Sequence, residues 1–242
     1  VPDRGDGAMS MPFYVSPEQI MKDRADYARK GIARGRSLVA LEYADGIAIV
    51  AENPSGTLYK ISEIYDRIAF AGVGKYNEFE MLKIAGVRHA DLRGYSYSRE
   101  DVTARALANA YAQTLGQVFT HEMKPYEVEI LVAQVGERDG EPNELFHILY
   151  DGTVMDEHRY TVLGGQADTI SEEMGTSYTE GLDLAAAVRL GTQVLGATDA
   201  RVLTADQLEV AILDRTRPRR RFRRLEDDEV TGYLGEGAAE SA

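Results

Sequence analysis

Apolar, β-branched runs arrive in this chain in blocks, separated by pairs of helical segments. That order constrains the fold more than any single motif does. The clearest block is RSLVALEY followed by IAIVAEN, two strand-like runs on either side of Asp45-Gly46, the dipeptide most typical of a tight hairpin. YKIS and DRIAFAGVG add two more strands, and Pro54-Ser55-Gly56 separates them from the hairpin. Two helices follow, KYNEFEMLKIAGVRHADLRG with Phe79 and Leu82 on one side and REDVTARALANAYAQTLGQVFT with Leu107 and Tyr111 on one face. Strands return in EVEILVAQVG, ELFHILYDG (turning at Asp151-Gly152) and HRYTVLGG, then helices over about 166–177 and 182–195, then the strands QLEVAILD and RRFRRL. Ahead of all this, Ser16-Pro17-Glu18-Gln19 spells a capping box that opens a helix running to about Arg34, with Ile20, Met21, Tyr27, Ala28 and Ile32 as a narrow apolar stripe. Strands and helices in blocks argue for an α+β fold rather than a doubly wound parallel sheet. Two strand blocks that each need a covered face predict two sheets packed together with helix pairs outside, in one domain of four layers.

The length of 242 residues suits one large domain. With no cysteine, thiol nucleophiles, thiolate metal sites and a disulfide scaffold are excluded. Lys and Arg number 27 against 40 Asp and Glu, a net charge of −13, and such a field repels phosphates and anionic lipid. No run approaches the length of a membrane span and the N-terminus lacks an apolar signal core, so a cytoplasmic protein without membrane or nucleic-acid partners is expected. A natural start near Met9 or Met11 is also expected. The charge is patchy. Seven arginines and no acid lie between Arg215 and Arg224, six acids and no base follow from Glu226, and residues 137–183 carry twelve acids against two arginines. The arginine run is expected as a basic edge strand, with a nucleic-acid-binding surface as the alternative. Residues 226–242 are expected as an acidic, disordered tail and residues 1–15 as a mobile segment.

Motifs for chemistry are scarce. His89, His121, His147 and His158 lack metal-ligand spacing, there is no Gly-x-Ser-x-Gly elbow and no phosphate-binding loop, and Gly72-Val73-Gly74 lacks the third glycine of a dinucleotide loop. No cofactor or metal is expected.

Longer motifs carry a family resemblance. ARKGIARG, VAENPS, KISE followed by YDR, GKYNEF, ADLRGYSY, ANAYAQTLG and KPYEVE occur in order over residues 11–225. Together they resemble the α-subunits of actinobacterial 20S proteasomes. The resemblance implies an αββα sandwich of the N-terminal-nucleophile hydrolase type with an extra N-terminal helix, matched here by Pro17–Arg34. Lys124-Pro125-Tyr126 stands where α-subunits carry a basic residue, Pro and Tyr before a core strand. It further implies four stacked seven-membered rings with α-rings outside, a partner β-subunit that hydrolyses peptides, an ATP-dependent ring activator on the α face, and unfolded proteins as substrates in transit. Lys60 matches the lysine that pairs with an activator's C-terminal carboxylate. Met11, Pro12, Phe13, Tyr14 and Val15 are the candidate gate, although the Tyr-Asp-Arg triplet of archaeal and eukaryotic α-subunits is absent from that segment.

The resemblance implies that the related β-subunits cut peptides with a Thr hydroxyl whose own free α-amine serves as base. The only hydroxyl at the matching strand start is Ser37, preceded by Gly35-Arg36 rather than by a Gly placed directly before a Thr. A non-catalytic subunit is therefore expected, the alternative being a self-processed amidohydrolase using Ser37.

Overall fold

A computed structural model describes residues 16–138 and 140–240. Ten strands form two five-stranded antiparallel sheets. In the first, β1 (Leu38–Tyr43), β2 (Gly46–Glu52), β8 (Tyr160–Leu163), β9 (Leu208–Asp214) and β10 (Phe222–Arg224) lie in the order β10-β9-β2-β1-β8. In the second, β3 (Ile61–Tyr65), β4 (Ile68–Gly74), β5 (Val128–Gln134), β6 (Glu144–Ile148) and β7 (Val154–Glu157) lie in chain order.

Strand alternation sorts the apolar residues into three layers of contact. Leu38, Ala40, Ile47, Ile49, Ala211 and Leu213 point into the gap between the sheets and meet Ala69, Ala71, Leu131 and Ala133 from the other side. The intervening residues of the first sheet, among them Val39, Leu41, Val50 and Ile212, pack under α4 (Ala167–Ser177) and α5 (Leu184–Ala197). Those of the second, among them Phe70, Ile130 and Val132, pack under α2 (Tyr76–Ser96) and α3 (Ala104–His121). Both faces of each sheet are covered, which is why these strands read as unbroken apolar runs. The four-layer expectation is met.

Local details depart from the sequence reading for identifiable reasons. The first hairpin pairs Tyr43 with Gly46, so Ala44-Asp45 form the turn and Gly46 opens β2. A Cβ on Gly46 would lie 1.9 Å from the Leu213 carbonyl oxygen, so the glycine serves close approach of β9 rather than the turn itself. In α1 (Pro17–Ile32) the Gln19 N–H donates to Ser16 Oγ at 3.2 Å, but the Gln19 side chain turns to Asp23 at 2.7 Å, leaving half of the capping box. Only Ala28 and Ile32 of its stripe are buried, in the gap between the sheets, whereas Ile20, Met21 and Tyr27 stay exposed. The second predicted helix is split: a 3-10 turn at Arg99–Asp101 precedes α3, whose cap is Thr103. β7 was not anticipated. The tail expectation is overturned over α6 (Asp227–Glu240), where Val230 is buried against the α5 layer with Tyr233 and Leu234. Asp227, Asp228 and Glu229 suit the positive end of that helix, and Glu229 receives two hydrogen bonds from Arg223, at 2.6 and 2.9 Å.

Candidate functional site

Two buried carboxylates organise one end of the sandwich. Glu209 shares its alternation with Ala211 and Leu213, so it faces the gap between the sheets at the start of β9. It accepts from Asn53 Nδ2 at 2.7 Å, from the Lys60 N–H at 2.8 Å and from the Ile61 N–H at 3.0 Å, and it pairs with Arg224. Glu209 thus fixes the start of β3 and the residue before it, Lys60. Arg224 completes the cap by lying 4.0 Å over the Tyr59 ring. Glu52, at the end of β2, receives a two-pronged bond from Arg201 at 2.7 and 3.0 Å and a further one from Arg36. The Arg201 hydrogen bonds, aided by Arg36 and opposed by burial, hold the Glu52 carboxyl below the usual range.

Lys60 lies between these clusters. Its ammonium donates to the Arg36 carbonyl at 2.7 Å and to the Glu52 carbonyl at 3.0 Å. Burial pushes its pKa down to about 8, against the pull of Glu209 and Glu52. Two of the three ammonium hydrogens are thereby used on backbone carbonyls, and no third acceptor occurs among the described residues. Arg36 and Glu52 also line a hollow of about 390 Å³ shared with Ala33, Gly35, Ser37 and Arg201.

Ser37 sits beside Lys60: the carbonyl that Lys60 holds belongs to the Arg36–Ser37 peptide bond. Ser37 is buried, its carbonyl accepts from the Glu52 N–H at 3.2 Å, and its nitrogen is an amide of the continuous chain. An amide nitrogen has no basic lone pair to take a proton from the hydroxyl. The candidate gate residues Met11, Pro12, Phe13, Tyr14 and Val15 lie outside the described residues.

The other singled-out features are structural. Lys124 donates to Glu78 at 2.6 Å and contacts Glu127 at 2.8 Å, while Glu78 also accepts the Glu127 N–H at 2.7 Å, so Lys124-Pro125-Tyr126 braces α2 against the entry to β5. Gly72 is inside β4, and Gly74 takes φ +104°, where a side chain would be strained and would strike the Glu127 carbonyl at 2.0 Å. Of the arginine run only Phe222–Arg224 form an edge strand, and Arg215–Arg221 lie in the connection that leads into it. His147 is buried, 3.4 Å from Glu129, and no group of three potential ligands set to hold a metal occurs among the described residues. No helix among them is long and apolar enough to cross a membrane. The sequence reading found Lys60 but missed Glu209, Glu52 and Arg201. A glutamate at an inward position of QLEVAILD was the available signal for the first; the arginine that answers Glu52 is 149 residues away and left none.

A family profile described as proteasome subunit matches residues 32–213, from the last residue of α1 into β9. The chain belongs to the proteasome subunit family. Within it, a proteasome subunit alpha of Kineococcus radiotolerans is 60% identical over 234 residues, covering 93% of this chain and 98% of the relative. The proteasome subunit alpha of Thermomonospora curvata is 59% identical over 231 residues, 95% of this chain and all of the relative. That of Acidimicrobium ferrooxidans is 59% identical over 234 residues, 97% of this chain and all of the relative. These alignments take in α1 and the C-terminal elements beyond the profile, and the two sheets with flanking helices are the αββα sandwich of N-terminal-nucleophile proteasome subunits.

Proposed function

We propose that this chain is a non-catalytic α-subunit of a 20S proteasome core, working in the cytoplasm. Seven copies form each outer ring, scaffold the β-subunits that cut peptides, restrict the entry of unfolded substrates and dock an ATP-dependent ring activator. The α-type names of the relatives support the assignment. The observation that carries it is at the strand start: the place of an N-terminal nucleophile is taken by Ser37, a serine with an amide nitrogen, and the neighbouring lysine is spent on the backbone carbonyls of Arg36 and Glu52. Held in this way, the Lys60 ammonium keeps one hydrogen for an incoming oxygen and little freedom to lose on binding it. Such a group suits a single carboxylate at a chain terminus.

The test is the affinity of the assembled core for a peptide ending in an activator's free C-terminal carboxylate, measured by fluorescence anisotropy. Lys60→Ala should leave the particle assembled and weaken this binding by roughly ten- to a hundredfold, the loss of a charge-assisted hydrogen bond of about 1.5–3 kcal/mol. A C-terminally amidated peptide should bind both cores equally weakly. Unchanged affinity of the free-acid peptide for Lys60→Ala would remove Lys60 from the docking site.

A further inference from the structure

The β3–β4 turn, the 3-10 turn at Arg99–Asp101 and the β9–β10 connection meet at the end of β3 that lies away from Lys60. The Arg221 N–H donates to the Asp66 carbonyl at 2.8 Å, Arg99 Nε donates to Asp66 Oδ2 at 2.9 Å, and the Arg99 guanidinium lies 5.1 Å from the centre of the Tyr65 ring. The three segments frame a hollow of about 280 Å³ lined by Arg67, Arg99, Arg219 and Arg221. Asp66, Glu100 and Glu137 share the lining. The arginines differ in what they hold. Arg99 takes up Asp66, and Arg221 donates to the Arg215 carbonyl and, at 3.3 Å, to the Glu137 carbonyl. Arg67 is half-buried, Arg219 is exposed with its backbone at φ +70°, and neither guanidinium donates to an acceptor among the described residues. Each therefore keeps all its N–H donors and a charge it cannot lose. Glu100 and Glu137 have no cationic partner among the described residues and are exposed to water, which screens them.

We propose that this hollow binds a short phosphate anion of the diphosphate class, taken up by the Arg67 and Arg219 guanidinium groups. Arg99 and Arg221, held by Asp66 and by loop carbonyls, form the fixed part of its wall. Four guanidinium groups against three carboxylates leave one positive charge in excess here, inside a chain of net charge −13. The chemistry of the free groups selects the ligand. A planar guanidinium fork meets phosphate oxygens pairwise, and two free forks from two different loops suit two phosphoryl groups. The surrounding field limits its length. An anion that stays within the hollow meets the arginines, whereas an extended polyanion such as RNA carries further phosphates into the acidic field of the rest of the chain. The site stands apart from Lys60 and does not depend on the reading of the chain as a proteasome subunit.

The test is a titration of the full chain with inorganic pyrophosphate, followed by phosphorus NMR at low ionic strength and without divalent cations. The wild-type chain should bind one pyrophosphate, and orthophosphate should bind more weakly. Arg67→Ala and Arg219→Ala should each weaken pyrophosphate binding by roughly ten- to a hundredfold, the loss of a charge-assisted hydrogen bond. Arg67→Lys, which keeps the charge but not the fork, should fall between the wild type and Arg67→Ala. Arg88→Glu reverses an exposed arginine of α2 outside the hollow and should leave the affinity unchanged, which separates the site from the overall charge. Neither Arg67 nor Arg219 makes a side-chain hydrogen bond or ion pair among the described residues, so the alanine variants should melt with the wild type when no ligand is present. A labelled single-stranded RNA, followed by anisotropy, should bind more weakly than pyrophosphate. The site would be overturned by a wild-type chain that leaves the pyrophosphate signal unchanged, by full affinity in both alanine variants, or by an equal loss in Arg88→Glu. Orthophosphate binding as tightly as pyrophosphate, or RNA binding more tightly, would overturn the diphosphate class of ligand.

Discussion

At the scale of single residues, Lys60 links folding to the proposed docking. The sequence identified it only through the family motif, because an isolated lysine before a strand carries no mark of its surroundings. Its partners come from three distant segments, Arg36, Glu52 and Glu209, and only the folded chain brings them together. With its pKa pushed down to about 8 by burial, Lys60 loses its charge in the window where an ordinary lysine is still fully charged. The sign follows. The ammonium needed to hold a carboxylate is present below pH 8 and is lost above it, so docking of the free-acid peptide should weaken by up to about tenfold per pH unit from pH 8 to pH 10. Bound carboxylate would itself raise the lysine pKa, which moves the break upward in the complex but not in the free core. Lys60→Arg, which cannot deprotonate in this range, should bind with an affinity that is flat between pH 7 and pH 10. Anisotropy titrations across that range check it, and a wild-type profile as flat as that of Lys60→Arg would mean that Lys60 is not the charge being titrated.

At the scale of elements, block order and alternation carried most of the fold into view. Apolar runs long enough to be buried on both faces implied helices over both sheets, and the Ser16 cap placed the start of the first helix. What stayed hidden depends on tertiary partners. The acidic composition after Glu226 reads as disorder, but Arg223 takes up Glu229 and the α5 layer takes up Val230, which makes it a helix. β7 is a short edge strand that pairs, among the described residues, with β6 alone, so no run of its own announces it. The exposure of Ile20, Met21 and Tyr27 likewise shows that a stripe can be apolar without being buried within its own chain. The contact between α2 and α3 shows how packing outranks pattern. Tyr111 is buried in that layer, its hydroxyl has no hydrogen-bond partner, and burial raises its pKa. Removing an unsatisfied buried hydroxyl costs no bond, so Tyr111→Phe should be neutral or stabilising by up to about 1 kcal/mol, a rise in Tm of about 2–4 °C. Gly86 faces that hydroxyl so closely that an added Cβ would lie 1.7 Å from it. Gly86→Ala should therefore destabilise by about 1–3 kcal/mol, and less in the Tyr111→Phe background. Differential scanning calorimetry of the four chains gives the cycle; equal melting shifts for Gly86→Ala in both backgrounds would show that the two residues do not compete for the same space.

At the scale of the whole molecule, the net charge of −13 is less informative than its patchiness along the chain. In the proposed ring, what the chain does depends on what its copies bring together. The segment ahead of α1 is the part that such repetition would concentrate. Ser16 caps the helix and Pro17 fixes its first turn, so the point at which the preceding residues join α1 is set identically in every copy. Seven copies of Met11–Val15, an apolar stretch, would converge around the ring axis and exclude solvent by contact with one another rather than by any fitted site. Deleting residues 1–15 keeps the cap and the proline, so α1 and the ring contacts should be unaffected. Short fluorogenic peptides should then be hydrolysed several-fold faster by cores assembled from the truncated chain and a β-subunit, with the maximal rate rising because entry no longer limits access to the cutting sites. The comparison is made between intact particles that hold the same number of each subunit. Equal initial rates in those two particles would place the entry barrier outside Met11–Val15.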